Sequence, residues 1–175
     1  MNSPENIYLI GPMGVGKSTI GRQLASQFKK EFIDLDHELE KRTGVSISII
    51  FEIEGEPGFR KRESELLDEL TQKNNIVLAT GGGAILSEAN RKILRTRGFV
   101  VYLRASIDTL VERTRNDRKR PLLQNGDKRQ TIEDLLAVRG PIYTDEADLI
   151  VDTDNRAPAT VAKEIINKVE ALDTL

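Results

Sequence analysis

Short apolar runs alternate along this chain with longer stretches in which apolar residues recur every three or four positions. Runs that are almost entirely apolar are typical of strands buried on both faces, whereas the longer spacing is typical of amphipathic helices. Strands that alternate with helices predict a parallel sheet joined by right-handed crossovers. The pattern therefore predicts an α/β fold of doubly wound type, with strands at 7–10, 32–35, 76–79, 99–103 and 149–151.

The helical stretches are bounded by residues that suit helix ends. Ser87 and Ser106 precede two of them as N-cap residues, Thr131 is followed three positions later by Asp134, and Pro158 suits a first helical turn. The predicted helices lie at about 17–29, 36–43, 46–53, 59–73, 87–97, 106–118, 131–138 and 158–171.

Length and composition indicate one domain. A chain of 175 residues with 38% hydrophobic residues can bury a proper core, and no repeat or linker divides it. The segment 116–130 is polar and is interrupted by Pro121 and Gly126, while residues 113–120 are rich in basic side chains. We expect this region, at about 114–128, to be a lid over nucleotide phosphates within a single domain spanning 1–175.

The charge and the terminal sequence exclude several classes of protein. The net charge of −2 and the pI of about 5.6 give no positive field for a nucleic-acid partner. The absence of cysteine excludes disulfides and thiolate metal sites. No apolar run approaches the length of a membrane span, and residues 1–6 lack the features of a signal peptide. We therefore expect a cytoplasmic protein that does not bind membranes.

One motif points directly to chemistry. The segment Gly11-Pro12-Met13-Gly14-Val15-Gly16-Lys17-Ser18 matches the phosphate-binding pattern G-x-x-x-x-G-K-[ST] and lies between a predicted strand and a predicted helix. Its glycines let backbone amides turn toward phosphate oxygens, and the helix N-terminus adds further amides. Lys17 would reach the β and γ phosphates, and Ser18 would bind magnesium. A glycine-rich turn without a ligand is the weaker interpretation.

Two aspartates lie within or just after the second predicted strand, at the end of the strand where ligands of a parallel sheet bind. Asp34 and Asp36 are two positions apart, so on an extended segment both carboxylates would face the same side. One could hold magnesium while the other faces a phosphoryl acceptor. The alternative is that either one caps the helix expected near residue 37. His37 lies beside Asp36, and we expect it to face solvent.

The third predicted strand is followed by Gly81, Gly82 and Gly83, against whose bare backbone a small ligand could lie. A tight turn with positive φ angles is the alternative. Three arginines, Arg60, Arg120 and Arg139, could together clamp an anionic substrate. Taken singly, each could instead be a solvated charge. Arg139 could also interact favourably with the dipole of a helix that ends before Gly140-Pro141.

Taken together, these motifs closely resemble the shikimate kinase family, whose order and spacing they follow from about residue 6 to 156. The resemblance rests on Gly11–Gly21, the Asp34-x-Asp36 pair, Gly58-Phe59-Arg60 with Glu63, Gly81–Gly83, Arg120-Pro121-Leu122-Leu123 and Arg139. It implies transfer of the γ-phosphoryl group of ATP to the 3-hydroxyl of shikimate, on the pathway to chorismate and aromatic amino acids. It also implies a P-loop NTPase fold of nucleoside-monophosphate-kinase type, with a five-stranded parallel sheet of order 2-3-1-4-5.

The resemblance assigns roles to individual residues, with Lys17, Asp36 and Arg120 as the catalytic ones. Asp36 would bind the shikimate hydroxyls and act as base or orienting group, and Glu63 would hold Arg60. ATP would contact Gly14, Val15, Gly16, Lys17, Ser18, Thr19, Arg113, Arg120 and Arg156. Shikimate would contact Asp36, Arg60, Gly81, Gly82, Gly83 and Arg139, partly within an acceptor-binding segment at about 34–62. Mg²⁺ would be held by Ser18 and Asp34.

Two other functions remain open at this point. A kinase of the same fold that acts on gluconate would keep Lys17 and Ser18, but it would not need two arginines for a ring carboxylate. A nucleotide-dependent switch would leave Asp36, Arg60 and Arg139 without a joint purpose. We expect this protein to be a monomer.

Overall fold

The computed structural model describes residues 4–116 and 126–173. A five-stranded parallel sheet runs through the molecule in the order β2-β3-β1-β4-β5. This is the order that the sequence resemblance implies. The strands are β1 Ile7–Ile10, β2 Glu31–Asp34, β3 Ile76–Ala79, β4 Phe99–Arg104 and β5 Leu149–Asp152. The helices are α1 Lys17–Phe28, α2 Leu35–Thr43, α3 Ile47–Leu70, α4 Glu88–Arg97, α5 Ile107–Arg113, α6 Lys128–Glu146 and α7 Pro158–Leu172, with a 3-10 turn at Ala84–Leu86.

Both faces of the sheet are buried, which explains why its strands are apolar. Ile7 and Leu9 of β1 face a core that α1 and α7 complete, whereas Tyr8 and Ile10 face a second core built with α2, α3 and α4. Successive side chains of a strand point to opposite faces, so one apolar run supplies both cores.

The carboxyl ends of the central strands lie level with one another. Asp34 at the end of β2 pairs in register with Ala79 at the end of β3, and Leu9 of β1 pairs with the same residue. The segments that follow these strands therefore meet at one edge of the sheet. Ligands of parallel sheets bind at this edge.

Several helix boundaries differ from those that the sequence predicts. Helix α3 is continuous from Ile47 to Leu70 apart from a break at Gly55, whose φ is 72° and ψ is 178°. Helix α5 ends at Arg113, well before residue 118. Helix α6 begins after Asp127, whose carboxylate accepts from two first-turn amides, so Thr131 is not its cap. The caps expected at Ser87 and Ser106 and the first-turn Pro158 are confirmed.

Helix α6 continues through Gly140 and Pro141 to Glu146. The sequence interpretation that this helix ends at Arg139 is therefore wrong, and the dipole explanation for Arg139 fails with it. In the described part of the chain, no helix has the length and apolar character needed to cross a membrane.

Candidate functional site

The phosphate loop joins β1 to α1 and has the backbone that its glycines allow. Gly14 has a φ of 82°, and a Cβ there would lie 2.7 Å from Cγ2 of Thr114, so neither the conformation nor the space suits another residue. Gly16, with a φ of 101°, occupies the N-cap of α1. Because glycine has no side chain to bond the first-turn amides, those amides can bind an anion.

Lys17 begins α1 and is buried within the loop. Its Nζ donates hydrogen bonds to the carbonyl oxygens of Gly11, at 2.6 Å, and of Pro12, at 2.9 Å. The ammonium group therefore lies inside the curve of the loop, where phosphate oxygens would bind. Of the neighbouring residues of the motif, Val15 is fully buried and Thr19 is exposed.

Asp34 links the phosphate loop to the second strand end. The Ser18 hydroxyl donates to Oδ2 of Asp34, and Oδ1 of Asp34 accepts from the amide of His37 at 3.1 Å. Asp34 is thus the N-cap of α2, so the alternative that this aspartate caps the helix is confirmed. It also contacts Ser18, the other residue expected to bind magnesium. His37 is exposed, as expected.

Asp36 does not lie on an extended segment, so the predicted geometry of the aspartate pair is wrong. Because Asp34 caps the helix, α2 already begins at Leu35, and Asp36 lies in its first turn. The carboxylate of Asp36 nevertheless reaches the glycine segment, where its Oδ1 lies 2.9 Å from the position that a Cβ on residue 81 would take.

Each of the three glycines lies against a different charged group. Oε2 of Glu63 lies 2.9 Å from the Cβ position of Gly81, on the same side as Asp36. Nη1 of Arg139 lies 3.4 Å from the Cβ position of Gly82, and Cζ of Arg60 lies 2.6 Å from that of Gly83. The segment does form a tight turn, in which the amide of Ala84 donates to the carbonyl of Gly81 at 3.2 Å. None of the three glycines has the positive φ that the turn alternative expected, so close approach explains why glycine is present.

Arg60 projects from α3 and is held by two carboxylates. Its Nη1 donates to Oε1 of Glu63 at 2.9 Å, and its Nη2 donates to Oε1 of Glu56 at 3.3 Å. The guanidinium carbon also lies 5.0 Å from the centroid of the Phe59 ring, which in turn packs on Phe51 with 4.8 Å between centroids. The helical pairing of Arg60 with Glu63 that the sequence predicts is therefore present.

The carboxyl group of Glu63 is almost completely buried, with 1% of the side chain exposed. Burial is the largest influence on it and raises its pKa to about 7 from an ordinary 4.5. The nearby Arg60 opposes this rise, whereas the negative charge of Asp36 adds to it. Glu63 is thus an acid that changes its charge near neutral pH in the middle of the site.

Arg139 is 4% exposed and comes to the site from α6. One turn further along the same helix, Tyr143 donates its hydroxyl proton to the carbonyl of Gly82 and packs its ring 5.0 Å from that of Tyr102. Burial raises the pKa of Tyr143 above its ordinary value, so the phenol stays a neutral donor. Sequence reasoning missed Tyr143, although its position four residues after Arg139 places both on one helix face.

The basic residues assigned to the nucleotide base make contacts of their own. Arg113 donates to the carbonyl of Val15 at 3.1 Å and to that of Thr153 at 3.1 Å, so it ties the phosphate loop to the segment after β5. Arg156 forms an ion pair of 2.5 Å with Glu164. Arg120 lies outside the described residues, as do positions 117–125 of the predicted lid.

The oxygen ligands near the phosphate loop are few. Across residues 4–116 and 126–173, no group of three or more His, Cys, Asp or Glu side chains could hold a metal ion. The contact between the Ser18 hydroxyl and the Asp34 carboxylate offers hard oxygen ligands, which suit Mg²⁺ when nucleotide phosphates supply the rest.

Comparison with known proteins identifies the family of this chain. A family model described as shikimate kinase matches residues 13–170. The shikimate kinase of Bordetella avium is 56% identical over 95% of this chain and 80% of its own length. That of Histophilus somni is 53% identical over 98% of this chain and 99% of its own length.

A solved structure agrees with this match. The structure of a shikimate kinase from Acinetobacter baumannii in complex with shikimate superposes with a TM-score of 0.94, at 47% identity, over 95% of this chain and 93% of the other. These matches agree with the geometry of the site, in which a phosphate loop lies near a glycine segment that is contacted by carboxylates and arginines. The chain belongs to the shikimate kinase family, the ATP-dependent kinases that phosphorylate shikimate in aromatic amino acid biosynthesis.

Proposed function

We propose that this chain transfers the γ-phosphoryl group of ATP to the 3-hydroxyl of shikimate, using the residues that surround Gly81–Gly83 for the acceptor. The observation that carries this proposal is the close packing of Asp36, Arg139 and Arg60 against three successive glycines. Two cations complement the carboxylate at one end of a small molecule, and the carboxylate of Asp36 complements hydroxyls at its other end.

The donor side follows from the phosphate loop. The loop amides and Lys17 would bind the β and γ phosphates, with Ser18 and Asp34 holding Mg²⁺. Bound Mg²⁺ would supply positive charge to neutralise the phosphates. Arg113 and Arg156 lie beside the segment after β5 and would flank the adenine.

On the acceptor side, Arg60 and Arg139 would bind the ring carboxylate and so set the orientation of the ring. Asp36 would accept a hydrogen bond from the 3-hydroxyl. As the hydroxyl oxygen bonds to the γ phosphorus and the bond to the bridging oxygen of ADP breaks, the hydroxyl proton would pass to Asp36. Glu63 would keep Arg60 in place.

Further features of the proposal concern the whole chain. We infer one domain, with an acceptor-binding segment at about 34–62, that acts in the cytoplasm. The lid at 114–128, with Arg120 as a catalytic residue on it, stays a prediction. So does the monomeric state, which light scattering of the purified protein would measure.

A coupled assay for ADP release tests the acceptor. We expect release that strictly requires shikimate, with none above background when gluconate replaces it. Release that needs gluconate, or slow release without any acceptor, would contradict the proposal in favour of a gluconate kinase or a nucleotide switch.

The variant Asp36→Asn tests the acceptor chemistry. We expect a loss of at least about 100-fold in kcat, because a positioned base contributes about that much, with ATP affinity unchanged. Asp145→Asn, an exposed position on α6, is the matched control for removing one carboxylate charge. Activity of Asp36→Asn close to that of the control would remove Asp36 from the mechanism.

A further inference from the structure

Glu63 has one carboxyl oxygen paired and one that is not. Oε1 accepts the hydrogen bond from Arg60, whereas Oε2 is buried without a hydrogen-bond partner among the described residues. Oε2 lies against Gly81, on the side where the Asp36 carboxylate also lies. A buried, half-satisfied carboxylate beside a second carboxylate is costly in its charged form.

The charged groups that face Glu63 come from three helices. Arg60 lies on its own helix α3, Asp36 on α2 and Arg139 on α6. The two arginines favour the ionised form of Glu63, and Asp36 disfavours it. Burial outweighs the arginines and brings the pKa to about 7, so Glu63 is partly protonated in the free protein at neutral pH.

The acceptor would change this balance in one direction. On the proposed function, the ring carboxylate of shikimate binds Arg60 and Arg139, the same two cations that stabilise ionised Glu63. A new negative charge then enters the site, and the attraction of both arginines is shared with it. Each effect favours the neutral form of Glu63.

We propose that binding of shikimate is coupled to uptake of one proton by Glu63, so that the acceptor carboxylate replaces Glu63 as the counter-ion of Arg60. This inference rests on the proposed function. The proton comes from solvent and bonds to a carboxyl oxygen of Glu63, and no other bond changes. Uptake by Glu63 would relieve the repulsion between the carboxyl groups of Glu63 and Asp36.

The coupling has a measurable consequence by linkage. Because the complex binds more protons than the free protein, the affinity for shikimate falls as pH rises through the neutral range. We expect up to about a tenfold weaker affinity per pH unit above the pKa of Glu63 in the free protein. Below about pH 5.5, where Glu63 is protonated in both states, affinity no longer depends on this group.

Isothermal titration calorimetry of shikimate into the protein tests the inference directly. Titrations at pH 7.5 in phosphate, HEPES and Tris, which differ in ionisation enthalpy, give the number of protons taken up. We expect about half a proton or more per shikimate bound at pH 7.5 and close to none at pH 5.5. The carboxylic acid of shikimate is itself ionised at both values and contributes little.

Two variants assign the proton to its site. Glu63→Gln keeps the size of the side chain and should abolish the uptake, whereas His37→Gln removes the one histidine of the chain, which is exposed, and should preserve it. Binding of shikimate by the unmodified protein with the same heat in all three buffers would overturn the inference and leave the proposed function standing. Uptake that persists in Glu63→Gln would overturn it too. Absence of any shikimate binding would overturn the proposed function and the inference with it.

Discussion

The substitution Gly83→Ala should impair binding of the acceptor without much change in the free energy of unfolding. Residue 83 has a φ of −99° and a ψ of 0°, which alanine can adopt, so the backbone is not strained by the change. The new methyl group, however, would lie 2.6 Å from Cζ and from Nη1 of Arg60. Carbon atoms in contact are about 3.5 to 4.0 Å apart, so the guanidinium must move by about 1 Å.

The magnitude follows from what Arg60 does. A hydrogen bond to a charged group contributes about 1.5 to 3 kcal/mol, so misplacing Arg60 should raise the KM for shikimate by about 10- to 100-fold. The KM for ATP should not change, since the phosphate loop is not touched. Because the displaced atoms are the end of a flexible side chain, the free energy of unfolding should fall by less than about 1 kcal/mol.

The coupled assay with saturating ATP gives the KM for shikimate, and urea unfolding gives the stability. Gly21→Ala is the reverse control, because a Cβ there would lie 2.5 Å from Cε2 of Phe32. Overpacking should reduce its stability by about 1 to 3 kcal/mol and leave the KM for shikimate unchanged. A folded Gly83→Ala protein whose KM for shikimate is within twofold of the original would refute the reasoning.

Three further substitutions address neighbouring groups. Arg139→Ala should weaken shikimate binding by about 2 to 5 kcal/mol with little change in the KM for ATP, and an unchanged KM for shikimate would count against its role. Tyr143→Phe removes the donor to the Gly82 carbonyl and should lower the free energy of unfolding by about 1 to 3 kcal/mol in urea titrations; no loss would mean that this bond contributes nothing. For Glu63 the folded protein holds the proton more tightly than the unfolded chain, with a pKa of about 7 against an ordinary 4.5, so its contribution to stability falls as pH rises between these values. Stability should therefore decline between pH 5 and pH 8 by about 2 to 3 kcal/mol more in the unmodified protein than in Glu63→Gln, and parallel curves for the two would contradict the raised pKa.

Local patterns predicted the sheet well because each strand is buried on both faces. Apolar runs such as Ile76–Ala79 have few alternatives to a central strand, and all five expected strands are present. Helix ends were harder to predict. The Gly140-Pro141 pair is a strong local stop signal, yet α6 continues through it, with the ring of Tyr143 buried against Tyr102. Tertiary packing outweighed the local preference there.

In the candidate site too, local sequence predicted some features and tertiary contacts decided others. For Asp34 the sequence left a magnesium ligand and a helix cap as alternatives, and only the structure shows that one carboxylate oxygen contacts Ser18 while the other caps α2. Because Asp34 caps it, α2 begins at Leu35, before the predicted start at residue 36, and Asp36 is helical rather than extended. No local pattern predicts such a contact, because Ser18 and Asp34 come together only through the sheet.

By itself, the sequence determined that this protein has a parallel α/β core and a phosphate loop, because both depend on residues that are neighbours along the chain. It also indicated that Gly81–Gly83 need close approach, without indicating what approaches. Only the tertiary structure decided that Asp36 and Glu63, Arg139 and Arg60 lie in turn against these glycines. These groups come from three different helices, and their mutual distances, burial and charge are set by how the helices pack on the sheet rather than by any local preference.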